Sequence, residues 1–170
     1  MYKVYLVGYM GSGKSAIGRR LSFALKLPYY DMDKEIEKQM NMSISEIFAT
    51  YGEEYFRDLE TKFLKEFRDE QCIISTGGGV AMREENRRIM KRTGLVFHLC
   101  ASFPFIWVRI AKDKRRPIVQ RSTKEELESL YYYRRKYYFQ AAHINIKTDG
   151  MTLRQVTETL AFHYKRLKSE

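Results

Sequence analysis

Apolar residues along this chain follow two rhythms. Short, nearly continuous runs at residues 4–7, 72–75 and 95–99 predict buried strands. Longer segments between them repeat apolar positions every three or four residues. Ile17, Leu21, Ala24 and Leu25 mark one face of a helix over 14–25. Phe56, Leu59, Phe63, Leu64 and Phe67 mark a second over 53–67. Pro28 stops the first helix, and Tyr29-Tyr30 begins a short strand. A charged helix follows over 33–40. Ser43-Ile44-Ser45-Glu46 has the spacing of a capping box and opens a helix through Phe48. Helices are further predicted over 84–91, 103–110, 125–142 and 152–167, with a last strand at 144–147. Residues 111–122 carry little apolar content and read as a loop.

Strands alternating with helices predict an α/β fold whose mainly parallel sheet is covered on both faces. Ligands in such sheets bind beyond the carboxyl ends of the strands. The segments that follow the strands therefore hold the informative residues. These are 8–15 after the first strand, Asp31-Met32-Asp33 after the second and Gly77-Gly78-Gly79 after the third. No repeat, low-complexity tract or linker divides the 170 residues, so one domain over 1–170 is expected.

Composition narrows the choices only slightly. No apolar run reaches the ~18 residues of a membrane span, and the start of the chain reads as a strand, not a signal peptide. Cys72 and Cys100 fall in predicted strands without a CxxC pair, which fits a reducing compartment and neither a disulfide framework nor a metal site. His98, His143 and His163 are isolated and read as structural. The formal net charge is +10, and residues 109–136 alone hold ten Lys or Arg against four acids. Such a segment suits a cover over phosphates and equally an RNA-binding face, so charge alone does not decide.

The motifs do. Gly8-Tyr9-Met10-Gly11-Ser12-Gly13-Lys14-Ser15 satisfies GxxxxGK[ST] between a predicted strand and a predicted helix. Its glycines let successive N–H groups turn toward phosphate oxygens, and the helix dipole adds positive potential. Lys14 can reach the β and γ phosphates, and the Ser15 hydroxyl can face Mg²⁺. Asp31 and Asp33 can hold Mg²⁺ through water or take a proton from an attacking hydroxyl, and either can instead cap the helix. Arg57 and Glu60, three apart on a helix, form an ordinary ion pair or present a guanidinium to a substrate carboxylate. Three glycines after Ser75-Thr76 permit close backbone approach to a ligand. The usual acidic residue of this strand is missing, which leaves Ser75 or Asp31 to stand near Mg²⁺.

Together, the phosphate loop, Asp31-x-Asp33, Gly52-Glu53-x-x-Phe56-Arg57-x-x-Glu60, Gly77-Gly78-Gly79, Arg116-Pro117, residues 134–138 and Thr148-Asp149 resemble the shikimate kinase family over nearly the whole chain. The resemblance implies a three-layer α/β/α P-loop NTPase fold with a central five-stranded parallel sheet, substrate-binding helices over about 33–61 and a mobile lid over about 112–124. It implies a cytoplasmic monomer that transfers a phosphoryl group from ATP to shikimate with Mg²⁺, without nucleic acid or membrane. Carried over by position, Asp33 binds the shikimate hydroxyls and serves as base. Arg57 and Arg134 hold the carboxylate with Gly78, and Glu60 belongs to the same site. Phe48 and Phe56 wall the pocket. Gly11, Ser12, Gly13, Lys14, Ser15 and Ala16 bind ATP, Arg109 stacks on adenine, and Lys14 with Arg116 stabilises the moving phosphoryl group. Ser15 and, through water, Asp31 hold the metal. Two departures stand out. Arg116-Pro117 is followed by Ile118-Val119 where the family has two leucines. Lys136 replaces the family's proline two residues after the carboxylate-binding arginine; spacing back from Tyr138 favours Arg134, but Arg135 is adjacent and able to serve.

Overall fold

The computed structural model describes residues 3–113 and 117–169. Five strands, β1 (Lys3–Val7), β2 (Tyr29–Asp31), β3 (Ile73–Ser75), β4 (Gly94–Cys100) and β5 (Ile144–Lys147), form one sheet in the order β2-β3-β1-β4-β5. Every pairing is parallel. Helices α1 (Lys14–Leu25), α2 (Met32–Met40), α3 (Ile44–Tyr51), α4 (Glu53–Glu66), α5 (Glu84–Thr93), α6 (Phe103–Ile110), α7 (Pro117–Arg121), α8 (Lys124–Ala141) and α9 (Leu153–Ser169) surround it.

The period-two alternation of the strands separates two cores. Val4, Leu6, Ile73, Leu95, Phe97 and Ile146 face Ile17 and Leu21 of α1 and Val156 and Leu160 of α9. Tyr5, Val7, Ile74 and Val96 face the opposite layer, which holds Met32, Ile36, Ile47, Phe56, Phe63 and Tyr138. Each large apolar side chain buried this way is worth about 1.5–3 kcal/mol, so burial on both faces fixes the sheet. This is the three-layer α/β/α arrangement of a P-loop NTPase, with the strand order that places β3 beside β1.

The register sets up the site. Asp31 lies opposite Ser75, and Ser75 opposite Leu6. The ends of β1, β2 and β3 therefore stop at one level, and the segments that follow them converge. Two capping boxes fix where flanking helices start. The predicted one joins Ser43 and Glu46 at α3. A second, Thr123 with Glu126, opens α8 ahead of the expected residue 125. One cap is worth about 1 kcal/mol. The 111–122 segment departs from its reading as a loop, because Pro117–Arg121 forms a short helix in which Val119 is buried. A 3₁₀ turn over Val80–Met82 was also not anticipated.

Candidate active site

The donor end is built from backbone. Gly13 has φ 96° and stands at the N-cap of α1, a left-handed position that side chains resist. No side chain caps this end, so the first-turn N–H groups point into the loop. Lys14 is buried, and its Nζ donates to the carbonyls of Gly8 at 2.7 Å and Tyr9 at 3.1 Å. Ser75 Oγ donates to the Lys14 carbonyl at 2.9 Å, and Thr76 Oγ1 donates to the Leu6 carbonyl at 2.9 Å. These bonds tie β3 to the loop. Ser12 Oγ is buried without a hydrogen-bond partner among the described residues. Ala16 lies in the first turn of α1, and Arg109, exposed at the end of α6, donates to the Gly11 carbonyl at 3.0 Å. Arg116 lies outside the described residues.

The two aspartates divide their work. Asp31 is the N-cap of α2, and its Oδ2 accepts from Ser15 Oγ at 3.1 Å. Asp33 lies inside the first turn of α2 and turns into a cavity of about 610 Å³. Ser75, spent on the Lys14 carbonyl, is thus not the group facing Ser15; Asp31 is.

That cavity gathers seven segments. Asp33 comes from α2; Ile44, Ser45, Phe48 and Ala49 from α3; Glu53, Phe56, Arg57 and Glu60 from α4. Gly77, Gly78 and Gly79 form one wall with Met10 of the phosphate loop. Arg134 of α8 and Ile118, Arg121 and Ser122 from α7 and its end close the other side. Phe48 and Phe56 pack with ring centroids 4.9 Å apart. Arg57 donates to Glu60 at 2.7 Å and to Glu53 at 3.0 Å. A Cβ on Gly79 would overlap the Arg57 guanidinium, and one on Gly77 would lie 2.8 Å from both Asp33 Oδ1 and Glu60 Oε1. Both of those oxygens are buried with no hydrogen-bond partner among the described residues. Two acceptor atoms therefore converge over Gly77 and wait for donors.

Burial dominates the electrostatics here. It pushes the Asp33 carboxyl above its ordinary value, with Asp31 adding to the rise and Lys14 and Arg57 opposing it. Burial lifts Glu60 to about 7, although Arg57 pulls the other way. Arg57 itself is held charged by Glu60 and Glu53 despite its own burial. A carboxyl near neutrality in a dry cleft is where functional sites concentrate perturbed groups.

A family model described as shikimate kinase matches residues 10–163 of this chain. The chain belongs to the shikimate kinase family. It is 40% identical to the shikimate kinase of Thioalkalivibrio sulfidiphilus over 95% of this chain and 86% of that one. Among solved structures it resembles the Acinetobacter baumannii shikimate kinase in complex with shikimate, with TM-score 0.91 and 31% identity over 100% of this chain and 96% of that one. The Aquifex aeolicus shikimate kinase gives TM-score 0.84 and 36% identity over 96% of each chain. The family's members are ATP-using phosphotransferases with an alcohol acceptor.

Within this shikimate kinase fold α8 separates Arg134 from Arg135. Leu127, Tyr131, Arg134, Tyr138 and Ala141 share one face at helical spacing, and of the two arginines only Arg134 lines the cavity. Arg135 turns outward over the Phe139 ring, 5.3 Å from its centroid. Tyr138 donates to the Gly78 carbonyl at 2.5 Å, and Tyr131 to the Ala101 carbonyl at 3.0 Å. Tyr9 of the phosphate loop donates to the Leu127 carbonyl at 2.9 Å. Three phenols thus tie α8 to the loops after β1, β3 and β4, while Tyr132 and Tyr133 stay exposed. Sequence reading missed Glu53, Ile44, Ser45, Ala49, Met10, Ile118, Arg121 and Ser122 as cavity residues. The Glu53–Arg57 spacing of four was a usable signal for the first. The α7 residues had none, because that segment reads as a loop. The histidines are structural: His98 Nδ1 lies 2.9 Å from Asn145 Oδ1, with burial lowering its pKa to about 4, and His143 Nδ1 accepts from the Val96 N–H.

Proposed function

We propose that this enzyme transfers the γ-phosphoryl group of ATP to the 3-hydroxyl of shikimate, with Asp33 as the group that orients that hydroxyl and takes its proton. The observation that carries the reading is the convergence of Asp33 Oδ1 and Glu60 Oε1 over Gly77, both without partners among the described residues, in a cavity lined by arginines. A polyhydroxy carboxylate supplies what that cavity lacks. Its hydroxyls donate to the carboxylate oxygens, and its carboxylate meets Arg134 and Arg57, with Gly78 alongside. Phe48 and Phe56 offer the apolar wall for a ring.

The phosphate loop, from Gly11 to Ala16, holds the triphosphate by its N–H groups, and Lys14 follows charge toward the leaving oxygen. Arg109, which donates to the Gly11 carbonyl, would cover the adenine. Arg116 joins Lys14 on the transferring group in this reading, from outside the described residues. Ser15 and Asp31 present hard oxygen donors 3.1 Å apart at the end of the loop, a set that suits Mg²⁺, with Asp31 acting through water. Mg²⁺ bound there would neutralise charge on the β and γ phosphates. The lid expected over 112–124, of which residues 114–116 lie outside the described residues, would cover the ligands and keep water from ATP. A monomer is part of the same reading. No helix among the described residues is long and apolar enough to cross a membrane, and a cytoplasmic enzyme is the compatible reading.

The test is ADP release from Mg-ATP by the purified protein with shikimate, gluconate or a nucleoside monophosphate as acceptor. Shikimate-dependent turnover well above the others is the expected result. Folded, ATP-binding protein that shikimate does not stimulate would overturn the acceptor assignment and leave the phosphate loop intact.

A further inference from the structure

The acceptor cavity contains more arginine than its two expected carboxylate ligands. Its charged walls are Asp33, Glu53 and Glu60 against Arg57, Arg134 and Arg121. Arg57 is already occupied: one terminal nitrogen is on Glu60 at 2.7 Å and the other on Glu53 at 3.0 Å. A carboxylate entering the cavity therefore meets an arginine whose charge is largely answered. The remaining cations are Arg134, on the inner face of α8, and Arg121, on the last turn of α7. Among the described residues no ion pair joins Arg121 to an acid. It lies on the acceptor side of the site, in one cavity with Phe48, Arg57 and Arg134, whereas Lys14 and Ser15 do not line that cavity.

We propose that Arg121 is a third anion-reading residue of the acceptor site, pairing with the acceptor's carboxylate beside Arg134 and setting the preference for acidic over neutral acceptors. This rests on the acceptor reading above. The physical need is charge balance. With Arg57 shared between two carboxylates, Arg134 alone would face both a substrate anion and the carboxyl groups of Asp33 and Glu60. A guanidinium across the cavity supplies the missing positive charge and two parallel donors. Because Arg121 is exposed, its contribution has the size of a surface pair made closer by binding.

The test compares wild type with Arg121→Gln and Arg121→Lys by steady-state kinetics, using shikimate as substrate and its neutral carboxamide as competitor. Arg121→Gln should raise KM for shikimate about fivefold, the equivalent of about 1 kcal/mol, with kcat and the KM for Mg-ATP unchanged. Arg121→Lys should recover part of that loss, and the carboxamide should inhibit all three proteins equally. An unchanged KM for shikimate in Arg121→Gln overturns the proposal and spares the acceptor assignment. So does a fall in kcat at constant KM, which would place Arg121 on the phosphoryl group, or an equal loss toward the carboxamide. A wild-type protein that ignores shikimate overturns both readings together.

Discussion

The donor and acceptor ends of this site are made differently, although Met10 and Gly78 stand between them within one cleft. At the donor end most polar groups are already engaged with the protein. Lys14 donates to two loop carbonyls, Ser15 to Asp31, and Ser75 to the Lys14 carbonyl. Eight consecutive residues and one helix start supply nearly all of it. At the acceptor end five helices contribute side chains, and two carboxylate oxygens are buried without partners among the described residues. The first arrangement is a backbone cradle for any nucleotide triphosphate. The second is a set of unpaired acceptors, and in the proposed reading specificity would reside there.

The sharpest way to break that contrast is Asp33→Asn. The amide keeps the size of the side chain and removes the base. Turnover with shikimate should fall about a hundred- to ten-thousand-fold, while ATP affinity measured by titration stays within about twofold. Near-normal turnover would remove Asp33 from the chemistry. Weakened ATP binding of comparable size would show that the two ends are not separable. The pH profile adds a sign: burial raises the Asp33 pKa, and a base must be ionised, so activity should climb with pH through that raised value.

A smaller effect distinguishes the neighbours on α8. Arg134→Ala should raise KM for shikimate about tenfold or more, the size of a hydrogen bond to a charged group. Arg135→Ala should change it by less than about twofold, because that side chain covers Phe139 on the outside of the helix. The reverse pattern would mean that α8 is rotated by a residue relative to the sheet when ligand is bound.

The same contrast explains what could be read in the sequence. Strand positions, layer count and the phosphate loop follow from contiguous patterns: apolar runs of four or five, helical spacing, and GxxxxGK[ST]. Which of Arg134 and Arg135 faces the cavity depends on 100° of helix rotation; spacing back from Tyr138 favoured Arg134, and Arg134 is the one that lines it. The Asp31 and Asp33 roles were open for the same reason. Which one caps α2 depends on where the backbone leaves β2, and it leaves one residue before Met32. Arg121 was invisible as a site residue, because its place in the cavity depends on a five-residue helix inside a polar segment. Local patterns carry the donor end, and long-range packing carries the acceptor end.

The last consequence concerns stability. Glu60 has no exposed surface, and burial lifts its carboxyl from 4.5 to about 7. A carboxyl raised in the folded state contributes stability that is complete below its ordinary pKa and is lost as pH rises through the folded value. Wild-type melting temperature should therefore decline between about pH 5 and pH 8, and Asp33, raised by the same burial, should add to the decline. Glu60→Gln removes the Glu60 part outright. The melting temperature of Glu60→Gln minus that of wild type should thus grow more positive with pH, whatever its offset from losing the Arg57 ion pair. Parallel curves, or a difference that shrinks with pH, would mean that Arg57 keeps Glu60 ionised throughout. The acceptor end would then resemble the donor end, with its charges answered before any substrate arrives.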